Sequence, residues 1–200
     1  LKRNVEGIHE ETIKRVQKIN DMTNNSPEIY DGDITRNVDW KIKSFEFDNM
    51  FCYGKGNKID FTKLDGTVGV VAPNHSGKSA IMDAIAYTIY DVCSRTTRAL
   101  DVMNKKKTTF RAKLNLEING MDYWIERDAQ YKRVNHKNGK VSHNCPVKVR
   151  FYMIDEGGDK VDLSGAARFN SQYGGGTNEE IKKVLGTFDD FILTSLSLQT

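Results

Sequence analysis

The sequence has few cysteines, few prolines and no long apolar run. Only three of its 200 residues are cysteine and three are proline. Cys52, Cys93 and Cys145 stand far apart without C-x-x-C spacing, which argues against a disulfide framework or a thiolate zinc site and indicates a reducing compartment. The longest apolar stretches, such as 68–72, are far shorter than the roughly 20 residues that cross a bilayer, and no basic-then-apolar leader opens the sequence. We therefore expect an intracellular protein that acts away from the membrane.

Neither sign of charge dominates. The sequence has 30 lysines and arginines against 27 aspartates and glutamates, a net charge of +3, so charge alone indicates no class of partner. Hydrophobic residues make up 38% of the sequence, which is the composition of a globular domain of ordinary size, with or without an appendage. Because it begins at Leu1 rather than a methionine and ends at Thr200 without a stop feature, we expect a piece of a longer protein.

The first 38 residues differ in character from the rest. Residues 1–20 carry an apolar stripe at helical spacing, which predicts an amphipathic helix. Residues 21–38 are rich in Asn, Asp, Ser, Pro and Gly without a sustained period, which indicates a linker. We expect the main domain to cover residues 39–200. The helical stripe consists of Val5, Ile8, Thr12, Val16 and Ile19.

The first half of the main domain has the pattern of a strand pair followed by a strand, a loop and a helix. Alternating apolar residues in 40–47, a glycine-containing turn and the run 59–61 predict an antiparallel pair. The nearly all-apolar run 67–71 predicts a strand buried on both faces. Residues 80–90 have apolar side chains along one helical face and no proline, so we expect a helix there.

The second half predicts an antiparallel sheet. Strict alternation in 110–118, the two-residue turn Asn119-Gly120 and the segment 121–127 predict a β-hairpin. Further along, Thr177 and Glu180 have the T-x-x-E spacing of a capping box, which predicts a helix start. The intervening elements are expected as a polar stretch at 128–144, a strand at 146–154, a turn at 155–159 and a strand at 160–163; the glycines 174–176 would lead flexibly into a helix that Gly186 stops after Leu185.

One motif carries recognisable chemistry. Residues 72–79, APNHSGKS, fit the phosphate-binding loop pattern [AG]-x-x-x-x-G-K-[ST], between a predicted strand and a predicted helix. Backbone N–H groups of such a loop wrap the β-phosphate, Gly77 lets the backbone come close, Lys78 neutralises phosphate oxygens and the Ser79 hydroxyl ligates Mg²⁺. The sequence therefore predicts Mg-nucleotide binding. The residues expected to hold the nucleotide are Asn74, His75, Ser76, Gly77, Lys78, Ser79 and Ala80.

On these motifs the sequence resembles the amino-terminal head lobe of the SbcC-type, SMC-like ATPases of DNA double-strand-break repair, from Trp40 to the end. The resemblance rests on the order of its parts. They are the turn FDNMFCY (47–53), the run IDF (59–61), the loop PNHSGKS with IMDAIAY (81–87), the hairpin end YWIER (123–127) and the closing segment 188–198 that runs into Gln199.

The resemblance implies an α/β P-loop lobe of the ABC-ATPase head type with an antiparallel β subdomain, carrying an extra N-terminal helix that the family pattern does not explain. It implies that Gln199 contacts Mg²⁺ and the attacking water. It also implies that the signature loop, the acidic pair and the switch histidine belong to a carboxy-terminal lobe beyond a long coiled coil. Mg-ATP would then drive pairing of two heads, with hydrolysis in trans, and gate double-stranded DNA and an SbcD-type metallo-nuclease. This chain alone would be nearly inactive.

Two segments imitate missing parts of such an ATPase. The run 151–156, FYMIDE, imitates the acidic strand and 163–166, LSGA, imitates the signature loop, but they stand in the wrong order and 155–159 is better interpreted as a hairpin turn. Two other functions stay open. One is a self-contained P-loop kinase or GTPase that uses Asp155 as its metal-binding acid. The other is a non-catalytic scaffold whose loop has degenerated at Ala72, where glycine is usual, with the helix in residues 4–20 docking a partner.

Other polar and aromatic groups are open to two interpretations each. A set of basic residues either forms a solvated face or contacts DNA phosphates. Phe51 and Tyr53 either border the adenine or pack in the core. His136, His143 and Cys145 lack a fourth ligand at metal spacing, so a zinc site is not favoured. The basic set is Lys105, Lys106, Lys107, Lys132, Arg133, Lys137 and Lys140.

Overall fold

The computed structural model describes residues 40–74, 76–136, 139–165 and 176–195. The predicted helix in 1–20 and linker in 21–38 lie outside these residues, as do His75, Lys137 and Gln199. No helix among the described residues is long and apolar enough to cross a membrane.

A six-stranded, fully antiparallel sheet forms the centre of the domain, in the order β2-β1-β3-β4-β7-β8, and β5 and β6 form a separate hairpin. Four α-helices and one 3₁₀ turn (Phe61–Lys63) accompany these strands in the described part of the chain. The strands are β1 Trp40–Asp48, β2 Asn57–Asp60, β3 Thr109–Ile118, β4 Met121–Gln130, β5 Lys132–Asn135, β6 Val141–Asn144, β7 Val147–Ile154 and β8 Lys160–Asp162. The helices are α1 Lys78–Tyr90, α2 Ala99–Val102, α3 Thr177–Leu185 and α4 Phe188–Ser195.

The β3–β4 hairpin follows its sequence pattern closely. Asn119 and Gly120 have φ of 50° and 82°, the left-handed pair that a two-residue hairpin turn requires. Alternate side chains of β3, such as Leu114 and Leu116, are fully buried. The predictions of this hairpin, of the β1–β2 pair and of the turn between β7 and β8 are confirmed.

Helix α1 packs against the sheet and is buried on more than the one apolar face that its spacing predicts, since residues 83–89 are all buried. Ala84, Ile85 and Ile89 are buried, and the ring of Tyr87 meets Phe110 of β3 edge-on at 6.0 Å between centroids. A fully buried side chain of this size contributes roughly 1.5–3 kcal/mol. This packing fixes the position of the residues just before α1, where the phosphate-binding motif lies.

The predicted strand at 67–71 is wrong. These residues form no strand, and the side chains of Val70 and Val71 are 63% and 96% exposed. A strand buried on both faces needs neighbouring strands to pair its backbone. None of the strands in the described ranges hydrogen-bonds to this segment, so its apolar side chains remain in solvent.

The predicted capping box is also wrong in detail. Helix α3 begins at Thr177 itself, with Gly176 in the N-cap position and no side-chain cap bond. The amides of Glu179 and Glu180 donate to the carbonyl of Gly176, so the threonine hydroxyl is one residue too late to cap them. The end of the helix is as predicted, because Gly186 has φ of 78° and closes the last turn.

Candidate nucleotide-binding site

The phosphate-binding motif leads directly into the first turn of α1. Gly77 has φ of 93°, in the left-handed region, and α1 starts at Lys78. The amide of Ala80 donates to the Gly77 carbonyl at 3.0 Å. The loop therefore stands at the positive end of the helix dipole, where an anion is stabilised.

Lys78 spans the mouth of this loop. Its Nζ donates to the carbonyl oxygens of Ala72 at 2.6 Å and of Pro73 at 2.9 Å. An ammonium group has three donors, so these two bonds hold the charge over the loop and leave one N–H for a ligand. A cation fixed beside a helix N-terminus is suited to a phosphate group.

The loop between β1 and β2 contacts Gly77. Tyr53 donates its hydroxyl hydrogen to the Gly77 carbonyl at 3.0 Å, and burial, with a smaller contribution from Cys52, raises the pKa of Tyr53. A Cβ built on Gly77 would overlap Cys52 Sγ. The left-handed backbone favours glycine at this position, and the Cys52 side chain would have to move to admit a Cβ.

We expect Gly77→Ala to destabilise the domain by about 1–2 kcal/mol from the left-handed φ alone, with the overlap on Cys52 in addition. ATPγS affinity should fall as well, because the loop must shift to relieve the contact. Thermal unfolding followed by circular dichroism, with a nucleotide titration, measures both effects.

Gly54→Ala is the matched control, since no atom lies within 4 Å of a Cβ at Gly54 and its φ is not in the left-handed region. Adding Cys52→Ala to Gly77→Ala should recover the part of the loss caused by the overlap. A Gly77→Ala protein as stable as Gly54→Ala would contradict the left-handed backbone and the close contact with Cys52 at Gly77.

Ser79 has a neighbour that the sequence does not reveal. Arg95, in the loop after α1, donates from Nη2 to Ser79 Oγ at 2.7 Å and pairs through Nε with Asp83 at 2.7 Å. The spacing of Ser79 and Asp83, four residues apart on one helix, was a signal that they share a face. No pattern in the sequence connects Arg95 to them.

The residues present fit a magnesium nucleotide. Gly77 has no side chain to block a phosphate group in the loop. The ammonium of Lys78 supplies a counter-charge, and the exposed residue Ser79 supplies a hydroxyl oxygen of the type that ligates Mg²⁺. Asn74 and Ser76 lie exposed on the same loop. His75 and Gln199, predicted for the same site, lie outside the described residues.

Phe51 and Tyr53 both pack against the hydrophobic core. The Tyr53 ring meets Phe47 edge-on at 5.1 Å, and Phe51 has φ of 50°. Both residues are half-buried, so the core interpretation accounts for one side of each ring. Contact with an adenine stays a prediction.

The remaining candidates lie away from the motif in sequence, and the two histidines among them have local partners. His136 bonds Ser142 Oγ at 2.8 Å and His143 bonds the Tyr131 hydroxyl at 2.6 Å, and within the described ranges no group of three or more His, Cys, Asp or Glu could hold a metal. Burial raises the pKa of Cys145. The predicted basic residues Lys105, Lys106, Lys107, Lys132, Arg133 and Lys140 are all exposed.

The two imitation motifs have structural roles. Asp155 Oδ1 accepts the amides of Gly157 at 2.9 Å and Asp159 at 2.8 Å, which closes the β7–β8 turn. Ser164 Oγ accepts the amide of Phe151 at 3.0 Å and so extends the edge of the sheet. The Asp155 carboxylate is thus committed to a turn, as the hairpin interpretation predicts.

Comparison with known protein families decides the relationship. The family model AAA_23, described as an AAA domain, matches residues 44–195. The chain belongs to this AAA domain family. The AAA_23 match includes both the phosphate-binding motif and the whole antiparallel sheet up to α4, apart from the first residues of β1.

Three curated relatives resemble the AAA_23 domain. Uncharacterized protein R555 of Acanthamoeba polyphaga mimivirus is 33% identical over 97% of this chain and 14% of its own length. The SbcC component of the nuclease SbcCD of Clostridium acetobutylicum is 26% identical over 68% of this chain and 11% of its own length. The chromosome partition protein Smc of Fusobacterium nucleatum is 25% identical over 48% of this chain and 8% of its own length. The chain therefore spans 14% or less of these relatives.

Among solved structures, the ATP complex of the recombination mediator protein RecF matches 61% of this chain and 28% of its own, with 19% identity and a TM-score of 0.41. The chain is a mixed α/β domain with an antiparallel sheet, and it is similar in sequence to SbcC and Smc.

Proposed function

We propose that the chain is the ATP-binding, amino-terminal half of the head of an SbcC-type DNA repair ATPase. One observation carries the proposal. Lys78 is held by two carbonyls over a loop that has a left-handed glycine, Gly77, at the start of α1, in a chain of the AAA domain family. This arrangement suits a nucleoside triphosphate.

The exposed segment 67–71 supports the proposal that the chain is one half of an ATPase head. It precedes the phosphate-binding loop, and its apolar side chains Val70 and Val71 are exposed. A run of exposed apolar side chains marks a surface that another part of a protein covers. The chain covers at most 14% of its curated relatives, so a carboxy-terminal lobe elsewhere in a longer protein is the natural source of that cover.

In this proposal residues 39–200 are the lobe, residues 1–20 an added helix and residues 21–38 a linker. The backbone of Asn74, His75, Ser76, Gly77, Lys78, Ser79 and Ala80 holds the phosphates, and Ser79 with Gln199 holds Mg²⁺. When bound, the metal would neutralise phosphate charge for phosphoryl transfer. The chain's own part is to bind and orient the nucleotide.

Hydrolysis in this scheme requires groups from the carboxy-terminal lobe and from a second, identical head. Double-stranded DNA and an SbcD-type nuclease are the further partners. The similarity to the SbcC component of the nuclease SbcCD and to Smc supports this choice of partners. The exposed lysines 105–107 and the β5–β6 hairpin are the basic surfaces we assign to DNA phosphates.

Calorimetric titration of Mg-ATPγS, beside an assay of phosphate release, tests the proposal. We expect the chain to bind one nucleotide and to release phosphate hardly faster than the buffer. Rapid turnover that rises linearly with protein concentration would contradict a composite site. If the chain bound nothing but Ala72→Gly bound ATPγS, the degenerate scaffold would be the better interpretation.

A further inference from the structure

The hydroxyl that our proposed function assigns to the metal already has a cationic partner. Arg95 Nη2 donates to Ser79 Oγ at 2.7 Å. Neither the family match nor the sequence pattern gives Arg95 a role. Its guanidinium lies where a divalent cation bound to the same oxygen would meet another positive charge.

Arg95 is anchored in this position by a buried carboxylate. Its Nε pairs with Asp83 Oδ2 at 2.7 Å, while the hydroxyl of Ser94 donates to the other oxygen, Oδ1, at 2.6 Å. The Asp83 side chain is only 7% exposed, so the pair is screened less than a surface ion pair. The guanidinium therefore bridges Ser79 and Asp83, one helical turn apart on α1.

An aromatic ring lies beside the guanidinium. The Arg95 carbon Cζ is 5.9 Å from the centroid of the Phe51 ring, within cation–π range. Phe51 has φ of 50°, an uncommon conformation for a bulky residue, and its amide donates to the Val102 carbonyl at 2.6 Å. A backbone outlier maintained by a hydrogen bond next to a ligand site is the kind that accompanies function.

The two cations cannot share Ser79 Oγ without repulsion. A hydroxyl oxygen has two lone pairs, yet a guanidinium and a divalent ion on the same oxygen would lie within a few ångströms of each other, where like charges repel strongly. The Arg95 side chain is 49% exposed, so it has solvent to move into.

We propose that Arg95 is a positioning residue that competes with the metal for Ser79. It holds the hydroxyl while no metal is bound and releases it when Oγ ligates Mg²⁺. Its positive charge supports the phosphates in the metal-free complex, so Arg95 sets how strongly nucleotide binding depends on Mg²⁺. The inference rests on the proposed function, because it requires that the loop binds a nucleotide.

Arg95→Gln tests this competition. We expect ATPγS binding in EDTA to weaken roughly tenfold, the lower end of what a hydrogen bond to a charged group contributes. Binding in excess Mg²⁺ should stay equal or tighten, because Ser79 no longer has to release a cation. The ratio of the Kd in EDTA to the Kd in Mg²⁺ should therefore rise. A purely structural role would weaken both affinities together.

Calorimetry on the whole chain in the two buffers gives this ratio for the wild type, Arg95→Gln and Arg111→Gln. Arg111 is the matched control, because its side chain is 56% exposed and pairs with Asp128 on the sheet. Arg95→Lys serves as a second variant. It keeps the positive charge but loses the planar guanidinium that contacts both Ser79 and Asp83, so its ratio of the Kd in EDTA to the Kd in Mg²⁺ should be intermediate.

An unchanged ratio in Arg95→Gln, with the wild type binding normally, would overturn the inference alone. A wild type that binds ATPγS in neither buffer would contradict the proposed function and the inference with it.

Discussion

Replacing Arg127 by alanine should lower the free energy of unfolding by about 3 kcal/mol or more, because several acceptors would lose their donor and each buried one left unpaired costs about 1–3 kcal/mol. Arg127 is fully buried. Its Nε donates to the carbonyl of Thr88 at 2.7 Å and its Nη2 to that of Ile89 at 3.2 Å. These carbonyls belong to the last turn of α1, where no further helical amide follows to donate to them.

Arg127 also connects this helix end to α3. Its Nη1 lies 3.2 Å from Asp91 Oδ1 and its Nη2 donates to Asn178 Oδ1 at 2.9 Å, while the Asn178 amide donates to Asp91 at 3.1 Å. Burial lowers the pKa of Arg127, and the Asp91 carboxylate opposes that shift. Truncation would leave the carboxylate, the amide and two carbonyls without their shared donor, which is why we expect a large loss.

Urea unfolding followed by circular dichroism measures this loss. Arg111→Ala is the control, since Arg111 is an exposed arginine on the same sheet and a surface pair of this kind contributes roughly 0–1 kcal/mol. An Arg127→Ala protein within about 1 kcal/mol of the control would show that the network does not stabilise the fold. If Arg127→Ala cannot be purified, Arg127→Lys, which keeps the charge without the fork, should show a smaller loss in the same direction.

The parts of the fold that the sequence predicts are those whose information is local. The hairpin of 110–118 and 121–127 was predictable because alternation sets the inward face and Asn119-Gly120 sets the turn. The helix before Tyr90 was predictable from its spacing. The phosphate-binding motif was recognisable because each of its residues has a role within one loop and one helix start.

The parts that the sequence does not predict depend on partners far along the chain. Arg127 alternates within β4 like any strand residue, and its acceptors on Thr88 and Asn178 lie 39 and 51 residues away. The run 67–71 was predicted as a buried strand but is exposed. Its apolar pattern indicates a preference for burial but not which part of a protein would cover it. Arg95 resembles Arg127 in this respect, because only the folded loop brings it to Ser79.

Replacing Lys78 by alanine should weaken binding of Mg-ATPγS roughly ten- to a hundredfold, the range expected for a hydrogen bond to a charged group. Two effects combine. The phosphates lose their counter-charge, and the loop loses the two bonds from Nζ to the carbonyls of Ala72 and Pro73 that hold its mouth together. Because Lys78 is only partly buried, the free energy of unfolding should change much less than in Arg127→Ala.

Comparison with Lys63→Ala separates this site effect from a general loss of positive charge. The Lys63 side chain is 78% exposed and pairs only weakly with Asp60 at 3.5 Å, so its loss should leave the affinity within about twofold of the wild type. Equal affinities in Lys78→Ala and Lys63→Ala would mean that nucleotide binds elsewhere. A Lys78→Ala protein that loses affinity while keeping its unfolding midpoint would assign the binding energy to the ammonium that the two loop carbonyls hold in place.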